Sequence, residues 1–351
     1  MSDDKRPWSA ADLYELKLIT DLRISPDGQQ IAYTLQRVDK KSEKKYSNIW
    51  LVDTAGGQPR QFTYGDQSDS SPRWSPDGQM ITFTSNRANE RQQQLYAIPL
   101  HGGEARPITQ ELKGQIATFE WSPDGTTILM QFRKTDAAVL EREEDEQKKK
   151  LGVVSHHITD LGYKFDGGGY MPTEKWHLWT VDVESGETTQ ITDGEFHEAG
   201  PSWSPDGERI LFLSDRSGNP TAGIFSDDTE MYTVPAAGGD VTHIPAHDGR
   251  KNMAVFSPDG ESIAYLGTPL KEGKWWQNNE LYVIPAAGGE AKNLSAEYDV
   301  DITSTTLGDF GSPPPFSGLQ WANNGQSIYT NISRYGGDHI VNFTLEGEMS
   351  Y

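Results

Sequence analysis

A chain of 351 residues is long enough for one large domain or two ordinary ones, and its 10 Trp, 14 Tyr and 12 Phe exclude a wholly disordered polymer. Fifty-two acidic against 31 basic residues leave a net charge of −21, a field that repels a phosphate backbone and argues against general nucleic-acid binding. With no cysteine, disulfides, thiolate metal sites and cysteine nucleophiles are excluded.

Residues 1–23 read as an N-terminal segment with a short helix. The first eight residues lack the apolar stretch of a signal peptide, and no apolar run reaches the roughly 18 residues of a membrane span, so a soluble, cytoplasmic protein is expected. From residue 24 a repeat takes over. An aromatic residue followed by Ser-Pro-Asp-Gly stands at 74–78, 121–125, 203–207 and 256–260; Ile24 opens a variant copy, and Trp321-Ala-Asn-Asn-Gly325 is a degenerate sixth. The spacings of 50, 47, 82, 53 and 65 residues define a unit of about fifty residues with a large insertion in the third copy and a smaller one in the fifth.

Each unit carries the same sequence of signals. A short strand ends at the aromatic residue, and Ser-Pro-Asp-Gly makes a tight turn, with Pro fixing φ and Gly taking the conformation other residues resist. An alternating strand follows, as in Ile81-Thr-Phe-Thr and Ile263-Ala-Tyr-Leu, then a third such as Leu95-Tyr-Ala-Ile or Leu281-Tyr-Val-Ile. A Gly turn leads to a fourth strand that closes on a pair such as Phe62-Thr63 or Leu294-Ser295. Four antiparallel strands per fifty residues is a β-propeller blade, so the chain is expected to be all-β, with the propeller over 24–351. The five aspartates of the turns are read as architecture, because copies in equivalent turns do not make one catalytic site.

The third unit is interrupted over 134–176. Residues 135–151 are rich in helix formers, with acids preceding lysines, and predict an exposed surface helix or an arm that meets another subunit or domain. Residues 158–172 are aromatic and glycine-rich. Gly167-Gly168-Gly169 is followed by no Gly-Lys-Ser/Thr, which excludes a phosphate loop and favours a hairpin tip presenting Tyr163, Lys164 and Tyr170. A long loop over 296–316, with three consecutive prolines, precedes the sixth copy. These two insertions are the site candidates, since long loops on rigid scaffolds carry function. In the sixth unit the chain stops two residues short of the closing pair, so a truncated propeller, six blades of seven, is expected.

Catalytic motifs are missing. Gly325-Gln-Ser327-Ile-Tyr329 fails as a nucleophile elbow at its last position, and His197-Glu198-Ala-Gly-Pro201 is not a zinc-peptidase motif. His156-His157 has no third ligand nearby and reads as a surface pair, while Asp299, Asp301 and Asp309 lack the glycine spacing of a calcium loop. No cofactor or metal is called for.

Four features together resemble the propeller of the prolyl oligopeptidase family of serine peptidases, in its acylaminoacyl-peptidase branch. They are residues 11–22 running into the first Ser-Pro-Asp-Gly, the charged insertion leading through Tyr163-Lys164-Phe165-Asp166-Gly167 to His177-Leu178-Trp179, the loop over 299–315, and the blade rhythm. Ser-Pro-Asp-Gly repeats alone also occur in TolB-like propellers. The resemblance implies a seven- or eight-bladed propeller capping an α/β-hydrolase domain that follows it and holds the Ser-Asp-His triad. It implies a gate that admits short peptides, and Tyr163, Lys164, Asp166 and Tyr170 are the substrate-gating candidates. No triad residue can be carried over to this chain, so no catalytic residue is assigned. The expected partners are that hydrolase domain, short peptides and a second copy of the chain. The rival expectation is a free-standing TolB-like propeller acting as a protein-interaction module.

Overall fold

The computed structural model describes residues 6–153, 155–159, 161–218, 228–268, 277–303 and 318–351. Among the described residues the fold is that of a β-propeller, with six four-stranded antiparallel sheets as its blades. Backbone packing divides the chain into two compact units: Met1–Leu112 with Glu184–Gly186, and Lys113–Val183 with Glu187–Tyr351.

The first unit holds a 3₁₀ turn at Ala10–Glu15 and blades one and two. Blade one is Leu18–Ile24, Gln30–Val38, Lys45–Asp53 and Arg60–Gln61; blade two is Asp69–Trp74, Met80–Ser85, Gln94–Pro99 and Arg106–Pro107. Their core lies between the two sheets, where Ala32, Ile49 and Leu51 of one blade pack on Trp74, Ile81, Phe83 and Tyr96 of the next. Each fully buried large side chain there contributes about 1.5–3 kcal/mol.

The second unit holds blades three to six. Blade three is Gly114–Trp121, Thr127–Lys134, His177–Asp182 and Thr188–Gln190; blade four is Glu198–Trp203, Arg209–Asp215, Thr229–Pro235 and Thr242–Ile244. Blade five is Lys251–Phe256, Ser262–Gly267, Glu280–Pro285 and Lys292–Asn293; blade six is Gln320–Trp321, Ser327–Arg334, Gly337–Thr344 and Met349–Ser350. Again the apolar clusters sit between successive blades: Leu129 and Leu178 against Phe212 and Val234, Leu211 and Met231 against Ile263 and Tyr265, Leu266 and Leu281 against Trp321 and Phe343. One blade exposes both its faces unless a neighbour covers them, which is why the repeat stacks.

The turns explain the repeat's spelling. In blade two the Asp77 carboxylate accepts from Ser75 Oγ at 2.6 Å and from the Gln79 N–H, while Ser75 Oγ accepts from the Met80 N–H. Blades one, three, four and five repeat these bonds through Asp27, Asp124, Asp206 and Asp259. The serine hydroxyl is the largest of the contacts that hold all five carboxyls below the ordinary range. Within each unit successive blades also meet there, with a turn glycine against the turn proline of the preceding blade: Gly78 by Pro26, Gly207 by Pro123 and Gly260 by Pro205. These aspartates are architectural.

Antiparallel order places the Ser-Pro-Asp-Gly turns and Gly turns at one end of every blade. The connections between second and third strands, and between one blade and the next, leave from the other end. The insertion at 134–176 belongs to this second, loop end. Its helical part is two short helices rather than one: α1, Ala137–Glu144, and α2, Glu146–Leu151. Asp145 breaks the run because its carboxylate caps the next helix, accepting from the N–H groups of Gln147 and Lys148. Neither helix buries a residue. Among the described residues no helix is long and apolar enough to cross a membrane.

Candidate functional site

The glycine-rich part of the insertion folds as the hairpin its composition predicts. Lys164–Phe165 pairs with Gly169–Tyr170, Gly167 and Gly169 take positive φ in the turn, and the Met171 N–H donates to the Tyr163 carbonyl at 2.8 Å. At the base of the insertion the Asp136 carboxylate accepts from the N–H groups of Thr173 and Glu174, drawing the two ends of the arm together.

Three of the four candidate residues come together. The ring of Tyr170 stacks on His156 at 3.6 Å between centroids, lies 6.3 Å from Tyr163, and has the Lys164 ammonium 5.5 Å above it. Asp166 sits apart, exposed in the turn. His156 and His157 are both exposed, as a surface pair should be, and His156 also joins this aromatic group. Tyr163, Phe165 and Tyr170 are each nearly half exposed. Among the described residues no third strand pairs with this ribbon. Aromatic faces, one ammonium and open backbone edges can bind an extended chain. Of the second candidate, the loop over 296–316, residues 304–316 lie outside the described residues, Asp309 with them. At its start, Asp301 accepts from the Asn279 N–H and from Thr303 Oγ1.

The loop end also holds buried charge that the sequence reading missed. In blade two, the fully buried Asp69 accepts two bonds from Arg87 and one from Ser85, while Arg87 covers the rings of Phe83 and Tyr96. In blade four, Glu198 has the same position. It accepts from Arg216 at 2.9 Å and Thr192 Oγ1 at 3.1 Å, and pairs with His177 Nδ1 at 2.7 Å. Arg216 in turn covers Phe196, Phe212 and Tyr232. In blade five the sign is reversed: the equivalent residue is Lys251, buried and bonded to Glu230 at 2.8 Å. A signal was present in Ser85-Asn-Arg87 and Ser214-Asp-Arg216, which recur at one step of the repeat. The contacts of Glu198 with His177, Thr192 and Arg216 make the cluster a lock between blades three and four.

At the opposite end, a cleft of about 240 Å³ lies between the turns of blades three and four, lined by Ser122, Asp124, Thr180, Trp203 and Asp206. Both its acids already belong to turn hydrogen bonds. Among the described residues no group of three or more His, Asp or Glu side chains is placed to hold a metal ion.

The signature of the TolB beta propeller domain, PD40, matches residues 20–162 and 171–274. The chain belongs to this family. The two matched stretches flank the hairpin, so Tyr163, Lys164 and Tyr170 lie between them, while His156 falls within the first. Among curated relatives, the chain is 30% identical over 209 residues to the uncharacterized peptidase YuxL of Bacillus subtilis, covering 59% of this chain and 31% of that protein. It is 26% identical to dipeptidyl-peptidase 5 of Porphyromonas gingivalis, covering 94% of this chain and 47% of the other. The chain thus spans half or less of the length of these relatives. Among solved structures, the acylaminoacyl peptidase of Pyrococcus horikoshii superposes with a TM-score of 0.71 at 20% identity, over 98% of this chain and 47% of that one. That likeness is one of fold.

Proposed function

We propose that this propeller is the non-catalytic, substrate-gating part of an oligopeptidase-type serine hydrolase acting on short peptides in the cytoplasm. The observation that carries the reading is the extent of the matches. Nearly the whole chain aligns with dipeptidyl-peptidase 5 and with the acylaminoacyl peptidase, and in each it accounts for 47% of the longer protein. On this reading the remaining half is an α/β-hydrolase domain that supplies the nucleophile, and the propeller controls what reaches it. Tyr163, Lys164 and Tyr170 then meet the peptide, with Asp166 at the hairpin tip; the chain's charge of −21 slows acidic peptides relative to neutral or basic ones. The second reading, a free-standing interaction module, is favoured by the family signature, which describes a TolB propeller.

Fluorescence anisotropy separates the two. A labelled N-acylated tripeptide is expected to bind the chain weakly, and Tyr163→Ala with Tyr170→Ala should weaken it about three- to tenfold, the worth of one or two aromatic contacts. Tight binding of folded proteins, with no binding of the peptide, would support the interaction module instead.

A further inference from the structure

The joint between blades four and five is built differently from its counterparts. From the last apolar residue of one blade to the first strand residue of the next takes seven steps in three places: Phe62 to Asp69, Ile191 to Glu198 and Ile244 to Lys251. The residue after that apolar position is Thr63 in the first and Thr192 in the second, and each hydroxyl accepts from a third-strand N–H, of Ile49 at 3.0 Å and of Leu178 at 2.9 Å. In the blade four joint that residue is Pro245, which has no hydroxyl to give. Two steps further on, where the other connections have Gly65 and Gly194, stands His247.

His247 instead ties this connection forward, to blade five. Its Nε2 lies 3.0 Å from the Thr268 carbonyl and its Nδ1 lies 2.7 Å from Tyr265 Oη. A carbonyl only accepts, so Nε2 carries the proton, Nδ1 is bare, and the Tyr265 hydroxyl donates to it. The ring stacks on Tyr282 at 4.1 Å and on Tyr265 at 5.7 Å. All these bonds are made by a neutral imidazole. A second proton on Nδ1 would meet the Tyr265 hydroxyl proton and force that group to turn.

Burial opposes that second proton, among charges of both signs. Lys251, buried to 1% exposure, bonds the carbonyl of His247 itself at 2.5 Å. Glu230 faces the pair from blade four, but it is already engaged by Lys251 at 2.8 Å and by His243 at 3.5 Å. Glu280 of blade five is held by Tyr282 at 2.7 Å and by Asn293. Asp248 and Arg250 flank the ring in its own connection. Burial, with Lys251 behind it, pushes the imidazole below its ordinary value, against the smaller upward pull of the Thr268 carbonyl, Glu230 and Glu280.

We propose that His247 is an acid-released latch on the joint between blades four and five, a device that goes beyond the peptide-gating reading and does not depend on it. While neutral it ties the connection to Tyr265 and Thr268 of blade five; a second proton turns Nδ1 into a donor, so the Tyr265 hydroxyl must reverse, and it places a second buried charge beside Lys251, which loosens that edge. The linkage has a definite sign. The unfolded chain takes the proton first, so the latch's stabilisation is present above the ordinary imidazole range and is lost as pH falls below it.

Hydrogen exchange of the full chain, corrected for intrinsic rate, tests this at about pH 7.5 and about pH 5.5, on either side of the ordinary imidazole range. Protection of the amides of Arg250 and Thr268 is expected to fall severalfold at the lower pH, and this fall should vanish in His247→Asn. In an NMR titration His247 should titrate below an unstructured histidine peptide, and Tyr265→Phe, which keeps the ring and removes the hydroxyl, should move it upward. A wild-type His247 that titrates like the free peptide, or a fall in protection that persists in His247→Asn, would overturn the proposal. If His247→Asn does not fold, the wild-type and Tyr265→Phe titrations decide it.

Discussion

Glu198→Ala should lower the unfolding free energy by about 3 kcal/mol, the lower end of what removing one member of a buried ion pair costs. Glu198 is fully buried, and its two oxygens hold Arg216, His177 and Thr192. With the carboxylate gone, Arg216 stays trapped over Phe212 and Tyr232 with no countercharge at Nη2, and its Nε is already buried without a partner. The lower end applies because the Arg216 side chain keeps 23% of its exposure and water can solvate it in part. Glu144→Ala is the control: Glu144 is 74% exposed and only 3.5 Å from Lys113, so its loss should cost less than about 0.5 kcal/mol. Urea unfolding of both variants makes the comparison, and a loss below about 1 kcal/mol for Glu198→Ala would show that the lock is not structural.

Gly249→Ala is expected to cost at least as much, about 3 kcal/mol or more, from backbone strain and overpacking together. Gly249 has φ of +113°, and a Cβ there would lie 2.1 Å from the Thr268 carbonyl oxygen. That carbonyl cannot step aside, because Thr268 is tied to Arg250 by its N–H and its hydroxyl and to His247 by the oxygen itself. Gly167 separates the two costs. Its φ is +74° with open space around it, so Gly167→Ala carries strain alone, about 1 kcal/mol. Thermal unfolding of the pair reads the difference, and equal losses would mean that the clash is relieved by movement of the joint.

The blades were legible because their signals are local. Ser, Pro, Asp and Gly each do one job within a single turn, and the aromatic residue before them packs between blades at Trp74, Trp203, Phe256 and Trp321. The hairpin was legible for the same reason, since Gly167-Gly168-Gly169 between aromatic runs has few other uses. The single helix over 135–151 was not, because whether Asp145 continues a helix or caps the next one depends on geometry that composition does not carry. The charged locks were hidden by distance: His177 and Glu198 stand in different blades, and Lys251 meets Glu230 across another joint. The reversal of sign between Glu198 and Lys251 also breaks the repeat at the one position where a pattern search would look for agreement. His247 reads in sequence as an isolated histidine before an Asp-Gly turn, and only the step-by-step comparison with Gly65 and Gly194 makes it stand out.

On the proposed function this chain is the gate of a peptidase and not its catalyst. Serine hydrolysis needs a nucleophile, a base within hydrogen-bond reach and an oxyanion hole, and the serines of the repeat are spent on turns, as Ser25, Ser75, Ser122, Ser204 and Ser257 show. The most direct measurement incubates the purified chain with acyl-alanyl and simple ester chromogenic substrates, with and without a serine-directed fluorophosphonate, followed by mass spectrometry of the labelled peptides. The predicted result is no turnover and no label on residues 1–351, with turnover appearing once an α/β-hydrolase domain is joined to the chain. Turnover by the chain alone, abolished by the reagent and accompanied by a labelled serine within it, would contradict the account.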